Sequence, residues 1–391
     1  MQALKQHYDY TIAGAGASGL SLACDIVQHP ALCDKALLLL DPVSKNTNDR
    51  TWCFWTNEAT TVDHLITHTW KKLRLQNHEE VITRELENYH YAYVRGLDFY
   101  NHTQEMLRKN PNVQMLQARV EHYAEDQNGN GAVTAQGRVF STNWLFDSTP
   151  TKSQSHASQK ANNFSLLQHF KGWEITTEKD CFNPEVATFM DFRTEQQGQV
   201  RFFYILPFSP TKAMIEFTVI SQQLLPTHEY DVILREYIEK QLNIASYTIL
   251  HQEHGVIPLN TKRHPRQLAE RVMSIGGKAG MIRPSTGFCF SNILKDSAAI
   301  AESLALTGQP FHKEEMPSRY RRYDALLFDI LLNQHYPLSS VFMQLFRNNR
   351  IENVFKFLDG TATVLEDFSV INSLPKSIFL KPLVRQIIRG M

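Results

Sequence analysis

The chain reads as an α/β (α+β) protein in which a discontinuous, Rossmann-like nucleotide-binding domain carries an inserted antiparallel-sheet domain and ends in helices. Three observations predict this. Residues 8–41 spell a strand, a glycine-rich turn, a helix and a second strand closed by an acid. Strand-like alternation fills most of 164–258, and a second glycine-rich element returns after Ile275, ahead of a helix. A length of 391 residues allows two or three packed units.

The first unit sets Gly14, Gly16 and Gly19 at GxGxxG spacing, with Asp41 placed 22 residues after Gly19. The first glycine permits the tight turn, the second lets backbone N–H groups approach a pyrophosphate, and the third lets helix lie against strand. The helix N-terminus, including Ala17 and Ser18, presents its positive dipole end to the phosphates, and Asp41 is placed for a ribose hydroxyl. The aromatic segment NDRTWCFW (Asn48–Trp55) follows. Thr69–Leu75 and Tyr91–Val94 suit strands, Leu97–Lys109 has helical spacing, and Val113–Val120 is positioned to extend the first sheet. A meander over 120–147 turns at Asn128–Gly131 and ends in the strand Trp144–Asp147. The polar stretch 150–162 reads as a crossover or loop.

Strands are then predicted at Gly172–Thr176, Val186–Phe192, Val200–Leu206, Ala213–Val219 and Tyr247–Pro258, with a helix over Tyr230–Gln241. Arg271–Ile275 runs as a short strand into GGKAGMIRPSTGF, and the helix Ser291–Thr307 stops at Gly308. Residues 314–391 are mostly helical in pattern. The order places a cofactor domain at 1–75, 97–160 and 266–312, a substrate sheet at 76–96 and 161–265, and a helical cap at 313–391 that is a candidate for membrane contact.

Formal net charge is zero, which gives no electrostatic reason to expect a nucleic-acid partner. The longest apolar stretches, such as Ala36–Leu40 and Ala325–Leu332, are too short for a bilayer span. No signal- or transit-peptide pattern is read, so a cytoplasmic setting is expected. The five scattered cysteines form no CxxC pair and HExxH is absent, so no metal is expected.

Two glycine elements, at Gly14–Gly19 and at Gly276, Gly277, Gly280 and Gly287, favour one long cofactor, FAD, gripped at two points. Asp147 ends a strand either near the cofactor or as the cap of the next turn. Glu216 lies in the strand AMIEFTVI and shares a face with Met214 and Thr218. Strand pattern alone leaves it open between a solvent-facing Glu and a buried acid whose pKa is raised. Trp52, Phe54, Trp55, Trp173, Phe202, Phe203 and Tyr204 are candidates to line an apolar cavity that attracts a carbocation, or ordinary core. The tail Lys376–Met391 interleaves apolar and basic residues, suiting either an anionic membrane surface or a packed helix.

Together DYTIAGAGASGLSLA, NDRTWCFW, QHFKGW (Gln168–Trp173), FSPTKAMIEFT and GGKAGMIRPSTGF resemble the lycopene cyclases, within the wider FAD-dependent group that includes the aromatic hydroxylases. The hydroxylases usually carry Gly–Asp in the second glycine element, whereas here Lys278 follows Gly277. The resemblance implies an aromatic-hydroxylase-type FAD domain. Gly14, Gly16, Ala17, Ser18, Gly19, Asp41, Arg50, Val120, Asp147, Gly277, Gly280, Met281, Thr286 and Gly287 would hold the cofactor, used in its reduced form with NADPH as reductant. It implies Glu216 as the catalytic acid, although the family's second, adjacent acid is Phe217 here. It further implies lycopene and γ-carotene as substrates and a peripheral place on the inner face of the membrane. An FAD- and NAD(P)H-dependent monooxygenase on an apolar isoprenoid, and a non-catalytic isoprenoid-binding flavoprotein, are the alternatives.

Overall fold

A computed structural model describes residues 3–125, 129–149, 165–262, 264–313, 316–333 and 337–376. The polar stretch 150–162 and nearly all of the basic tail lie outside the described residues. In chain order the elements are β1 (His7–Ala13), α1 (Ala17–Gln28), β2 (Leu37–Asp41), β3 (Thr51–Thr56), β4 (His68–Trp70), β5 (Lys72–Gln76), β6 (Val81–Glu85) and β7 (His90–Arg95). Then come α2 (Gly96–Lys109), β8 (Val113–Gln117), β9 (Val120–Glu125), β10 (Gly131–Ala135), β11 (Arg138–Asp147), β12 (Ser165–Thr176), β13 (Val186–Asp191), β14 (Val200–Ser209) and β15 (Lys212–Ser221). The chain continues through α3 (Thr227–Glu236), β16 (Thr248–Asn260), β17 (Gln267–Ala269), β18 (Val272–Ser274) and α4 (Phe290–Thr307). It closes with α5 (Arg319–Asn333), α6 (Leu338–Asn348), α7 (Ile351–Asp359) and α8 (Val364–Asn372).

The nucleotide-type sheet runs β17-β18-β11-β1-β2-β8, with β10 and β9 added beyond β11. Its central pairs β18/β11, β11/β1, β1/β2 and β2/β8 are parallel. Leu37–Leu40 of β2 are all buried, the continuous apolar run that a strand covered on both faces requires. Helices α1, α2 and α4 close one face over Ile12, Leu20, Ile26, Leu39, Phe146 and Ile300. The other face packs beneath the meander.

The second sheet runs β16-β12-β15-β14-β13-β5-β6. One face, carrying Trp173, Phe203, Ile215 and Phe217, packs on α3 and the single π-helical turn Tyr237–Gln241 that continues it. The opposite face, carrying Phe202, Tyr204, Leu206 and Met214, packs on β3, β7 and helices α5 to α7. A three-stranded sheet, β3-β7-β4, stands between the two large sheets.

Several boundaries differ from the sequence reading. The strand predicted at Thr69–Leu75 is two, because β4 pairs β7 while β5 pairs β13 and β6. The expected division after residue 75 therefore falls inside β5, and 90–95 belong to the small sheet. The second sheet is mixed rather than antiparallel, since β5 joins β13 in parallel. The predicted strand Val113–Val120 stops at Gln117. The helix expected over Tyr230–Gln241 starts at Thr227 and loosens to π geometry at Tyr237.

Candidate active site

The turn after β1 brings the first glycines to the C-terminal edge of the parallel strands. Gly14 has φ +101°, a conformation side chains resist, and a Cβ on Gly19 would lie 1.9 Å from the Gly14 carbonyl oxygen. Glycine at both positions lets α1 begin directly on the turn. Gly16 caps α1 with no side-chain hydrogen bond, and a Cβ there would meet nothing within 4 Å. An uncapped helix N-terminus with Ala17 and Ser18 in its first turn therefore opens onto free space. Asp41 accepts from the Ala15 and Val43 N–H groups at 2.7 and 2.8 Å, tying the end of β2 to the turn.

The second glycine element meets the first. A Cβ on Gly276 would lie 2.8 Å from the Ser18 Cβ. The Ile275 N–H donates to the Asp147 carbonyl at 3.0 Å, and the Met281 N–H to the Gly276 carbonyl at 3.1 Å. The contacts of Asp147 fit the turn-cap reading. Its carboxylate caps the following turn, accepting from the Thr149 N–H and hydroxyl, and it is ion-paired with Lys278. Lys278, where the hydroxylases carry an acid, thus has its counter-charge on β11. Gly277, Gly280 and Met281 lie in this same turn, whereas Thr286 and Gly287 lie farther along. A Cβ on Gly287 would come 2.2 Å from the Gln168 Oε1, so this loop rests directly on β12 of the second sheet. The Ser285 hydroxyl oxygen is buried there without a partner. Arg50 sits at the start of β3, ion-paired with Asp49 at 2.9 Å and close enough to Cys289 to influence it. Val120 opens β9, two residues after Ala118, whose N–H donates to the Asp41 carbonyl at 3.0 Å. The free space over Gly16, the uncapped helix and the orphaned Ser285 hydroxyl fit a dinucleotide laid from α1 toward Gly287.

Glu216 projects from β15 on the face covered by the small sheet and the C-terminal helices. It keeps some accessible surface while protein surrounds it, as a side chain facing an internal space does. Thr218, two residues on and on the same face, donates to its Oε1 at 2.9 Å. Tyr204 of β14 stands opposite in register. On its other side Gly172 of β12 is the register partner of both Glu216 and, from β16, Glu253. A Cβ at 172 would lie 3.4 Å from the Glu216 Cβ and 3.4 Å from the Glu253 Cγ. With no side chain between them, the two carboxyl groups hydrogen-bond one another. Burial, then the charge of Glu253, push the Glu216 carboxyl far above the usual carboxylate range, against the hydrogen bond from Thr218. Burial lifts Glu253 to about 7, against hydrogen bonds from Thr51, at 2.7 Å, and from Glu216. The proton shared across that hydrogen bond lies on the Glu216 side of the pair.

Glu253 was not singled out in the sequence. It lies in a predicted strand and is the one fully buried residue between Thr248 and Pro258 of an edge strand, but its partner depends on three-strand register. Gly172 lies within QHFKGW, but its role as the gap between two acids is visible only in the pairing.

The aromatic candidates divide. Trp55, Phe202 and Tyr204 line the Glu216 face. Trp173 and Phe203 lie on the opposite face, because alternate strand positions point to opposite sides. Trp52 stacks on Phe290 at 4.8 Å within the nucleotide-domain core, beside Phe54. Phe189 and Phe288, missed in the sequence, join the Glu216-side cluster. Along that face, about 13 Å from Glu216 for four residues of strand, Ile220 borders a half-open cavity of about 500 Å³ with a mixed lining, apolar at Leu166, Leu331 and Leu338 and polar at Gln196, Gln199 and Gln223. Among the described residues, no cluster of three or more His, Cys, Asp or Glu is placed to hold a metal. Nor is any helix among them long and apolar enough to cross a membrane.

The fold class is that of FAD-dependent monooxygenases and halogenases. A geranylgeranyl bacteriochlorophyll reductase-like protein of Thermoplasma acidophilum superposes with a TM-score of 0.59 at 13% identity, over 99% of this chain and 100% of that one. PqsL of Pseudomonas aeruginosa, named a probable FAD-dependent monooxygenase, gives 0.55 at 14% identity, over 94% of this chain and all of that one. The family is narrower: the model described as lycopene cyclase protein matches residues 9–382, and the chain belongs to that family of carotenoid-cyclising enzymes. The lycopene beta-cyclase of Pantoea ananas is 24% identical over 320 residues, 77% of this chain and 75% of that protein.

Proposed function

We propose that this chain is a lycopene β-cyclase, closing the ψ-ends of lycopene to β-ionone rings through γ-carotene to β-carotene. The observation that carries the reading is Glu216, a carboxyl held protonated on an apolar, aromatic face of the family's cyclase fold. Protonating an alkene needs a strong, well-placed acid and no competing water. Glu216 supplies the proton and Thr218 fixes its orientation. Trp55, Phe189, Phe202, Tyr204 and Phe288 form an aromatic cluster on the Glu216 side, a surface that excludes water and whose rings stabilise a nearby tertiary cation.

Gly14–Gly19, Asp41 and the turn Gly276–Met281 would hold the ADP half of FAD, with Arg50, Thr286 and Gly287 farther along it. When bound and reduced by NADPH, FAD would supply negative charge beside the cation without being consumed. A polyene substrate resides in lipid, which argues for work at a membrane surface.

Expression of the chain in lycopene-accumulating cells tests this. Accumulation of β-carotene, with β-carotene lost in Glu216→Gln by a factor of about 10² or more, is the expected result. Unchanged lycopene would sink the reading. The fold likeness to PqsL favours a second reading, a monooxygenase, whose product would carry added oxygen.

A further inference from the structure

We propose that Glu253 is the proton acceptor of the site, the carboxylate that takes the last proton from the closed ring and returns it to Glu216. This rests on the cyclase reading. The geometry comes from three strands: Glu216 and Glu253 approach from either side of Gly172, and their stems lie close enough that a Cβ at 172 would touch both at 3.4 Å. The Thr51 hydroxyl holds Glu253 by donating to its Oε2.

The other titratable groups around the pair are Asp49 and Arg50, ion-paired ahead of β3, Cys53 on β3, Tyr91 and Tyr93 on β7, and Tyr204 on β14. Burial keeps Cys53, Tyr91, Tyr93 and Tyr204 neutral at physiological pH. That leaves the two carboxyls to exchange a proton near neutrality.

The cycle balances without an outside reactant. The Glu216 O–H bond breaks, a C–H bond forms at the terminal alkene carbon, and the resulting cation closes with a new ring C–C bond. Glu253, ionised from the start, removes a proton from a ring carbon, and that C–H electron pair becomes the ring double bond. The proton then crosses the carboxyl–carboxyl hydrogen bond to Glu216. The carbon that gains a proton and the carbon that loses one are different atoms, and two carboxyls on strands that flank β12 address two positions.

The test uses the full chain with FAD, NADPH and lycopene in phospholipid vesicles, with melting curves to check folding. Glu253→Gln is expected to lower conversion at pH 7 at least tenfold and to release ring isomers other than β. It is also expected to remove the acid limb of the rate–pH profile near 7. Glu253→Asp, which keeps the acid and carries the test if the amide variant does not fold, is expected to keep that limb and favour β rings. β-Ring formation by Glu253→Gln at the unsubstituted rate overturns the proposal. So does a slow variant with ring distribution and both limbs unchanged, which would make Glu253 a positioning residue. No conversion by the unsubstituted chain removes the cyclase reading itself, whereas full conversion by Glu216→Gln leaves that reading standing and removes Glu216 as the acid, and the proposed Glu253-to-Glu216 return with it.

Discussion

Gly172 is the residue on which the acid pair depends. In a strand interior glycine is normally a weak choice, and here its neighbours explain it: Met214 Sδ at 3.0 Å and the two glutamate stems at 3.4 Å from any added Cβ. Gly172→Ala is therefore expected to fold, because the flexible thioether can yield. Its melting temperature should stay within a few degrees while ring formation drops at least tenfold, as the carboxyls are pushed apart. Equal activity of the alanine variant and the parent would show that the approach of the two acids is immaterial. The sequence identified Glu216 through its apolar neighbours and the family's motif, yet left its environment open, since a strand's pattern does not say which face is covered. Glu253 stayed invisible because no residue near it in sequence marks it; Gly172, which joins it to Glu216, is 81 residues away.

At the level of elements, what was local was legible. The β1-α1-β2 unit follows from glycine spacing, a continuous leucine strand and an acid, all within about forty residues, and the second glycine turn from its own strand and helix. Pairings across long stretches were not legible. The split of β4 from β5, the parallel β5/β13 contact and the sorting of Trp173 away from Phe202 are all set by which strand lies alongside, and composition carries no trace of that. The first turn of α1 offers a separate test of the proposed cofactor. A valine at Gly16 would enter free space in the protein alone, at an ordinary φ of −83°. Gly16→Val should leave the apoprotein's melting unchanged within about 1 °C and abolish co-purifying flavin absorbance. A yellow, fully flavin-loaded valine variant would place the phosphates elsewhere.

For the molecule as a whole, the buried acids tie stability to pH. Glu253 is 4% exposed and its pKa is raised from 4.5 to about 7 on folding. A raised folded-state pKa means that the native form binds more protons than the unfolded chain between those values. Its contribution is therefore fully present below about pH 4.5 and is lost as pH rises through about 7. About 3 kcal/mol should disappear over that window, with Glu216 adding a loss of the same sign that starts in the same window and continues to higher pH. Urea titrations at pH 5 and pH 8 check this. The difference should shrink in Glu253→Gln, and an unchanged difference would locate the linkage in other groups.

The C-terminal helices are fastened to the second glycine loop by Arg283, 4% exposed, which pairs with Asp324 of α5 at 3.2 Å and donates to the Phe357 and Leu358 carbonyls of α7. Asp359 adds a bond from the Trp55 indole N–H at 2.7 Å. Breaking one partner of a buried pair costs about 3–5 kcal/mol, so the roof over Glu216 is held shut in the resting structure. On the proposed activity, a long two-ended molecule must then thread in lengthwise, from the side where the Ile220 cavity lies, and can present one terminus per visit. Such an enzyme works distributively: it lets go of a half-finished molecule and meets it again from the other end. A time course with limiting protein should show the one-ringed γ-carotene rise ahead of β-carotene and persist when excess lycopene is added to compete for the site; simultaneous appearance of both rings would mean that the molecule turns or slides through without leaving.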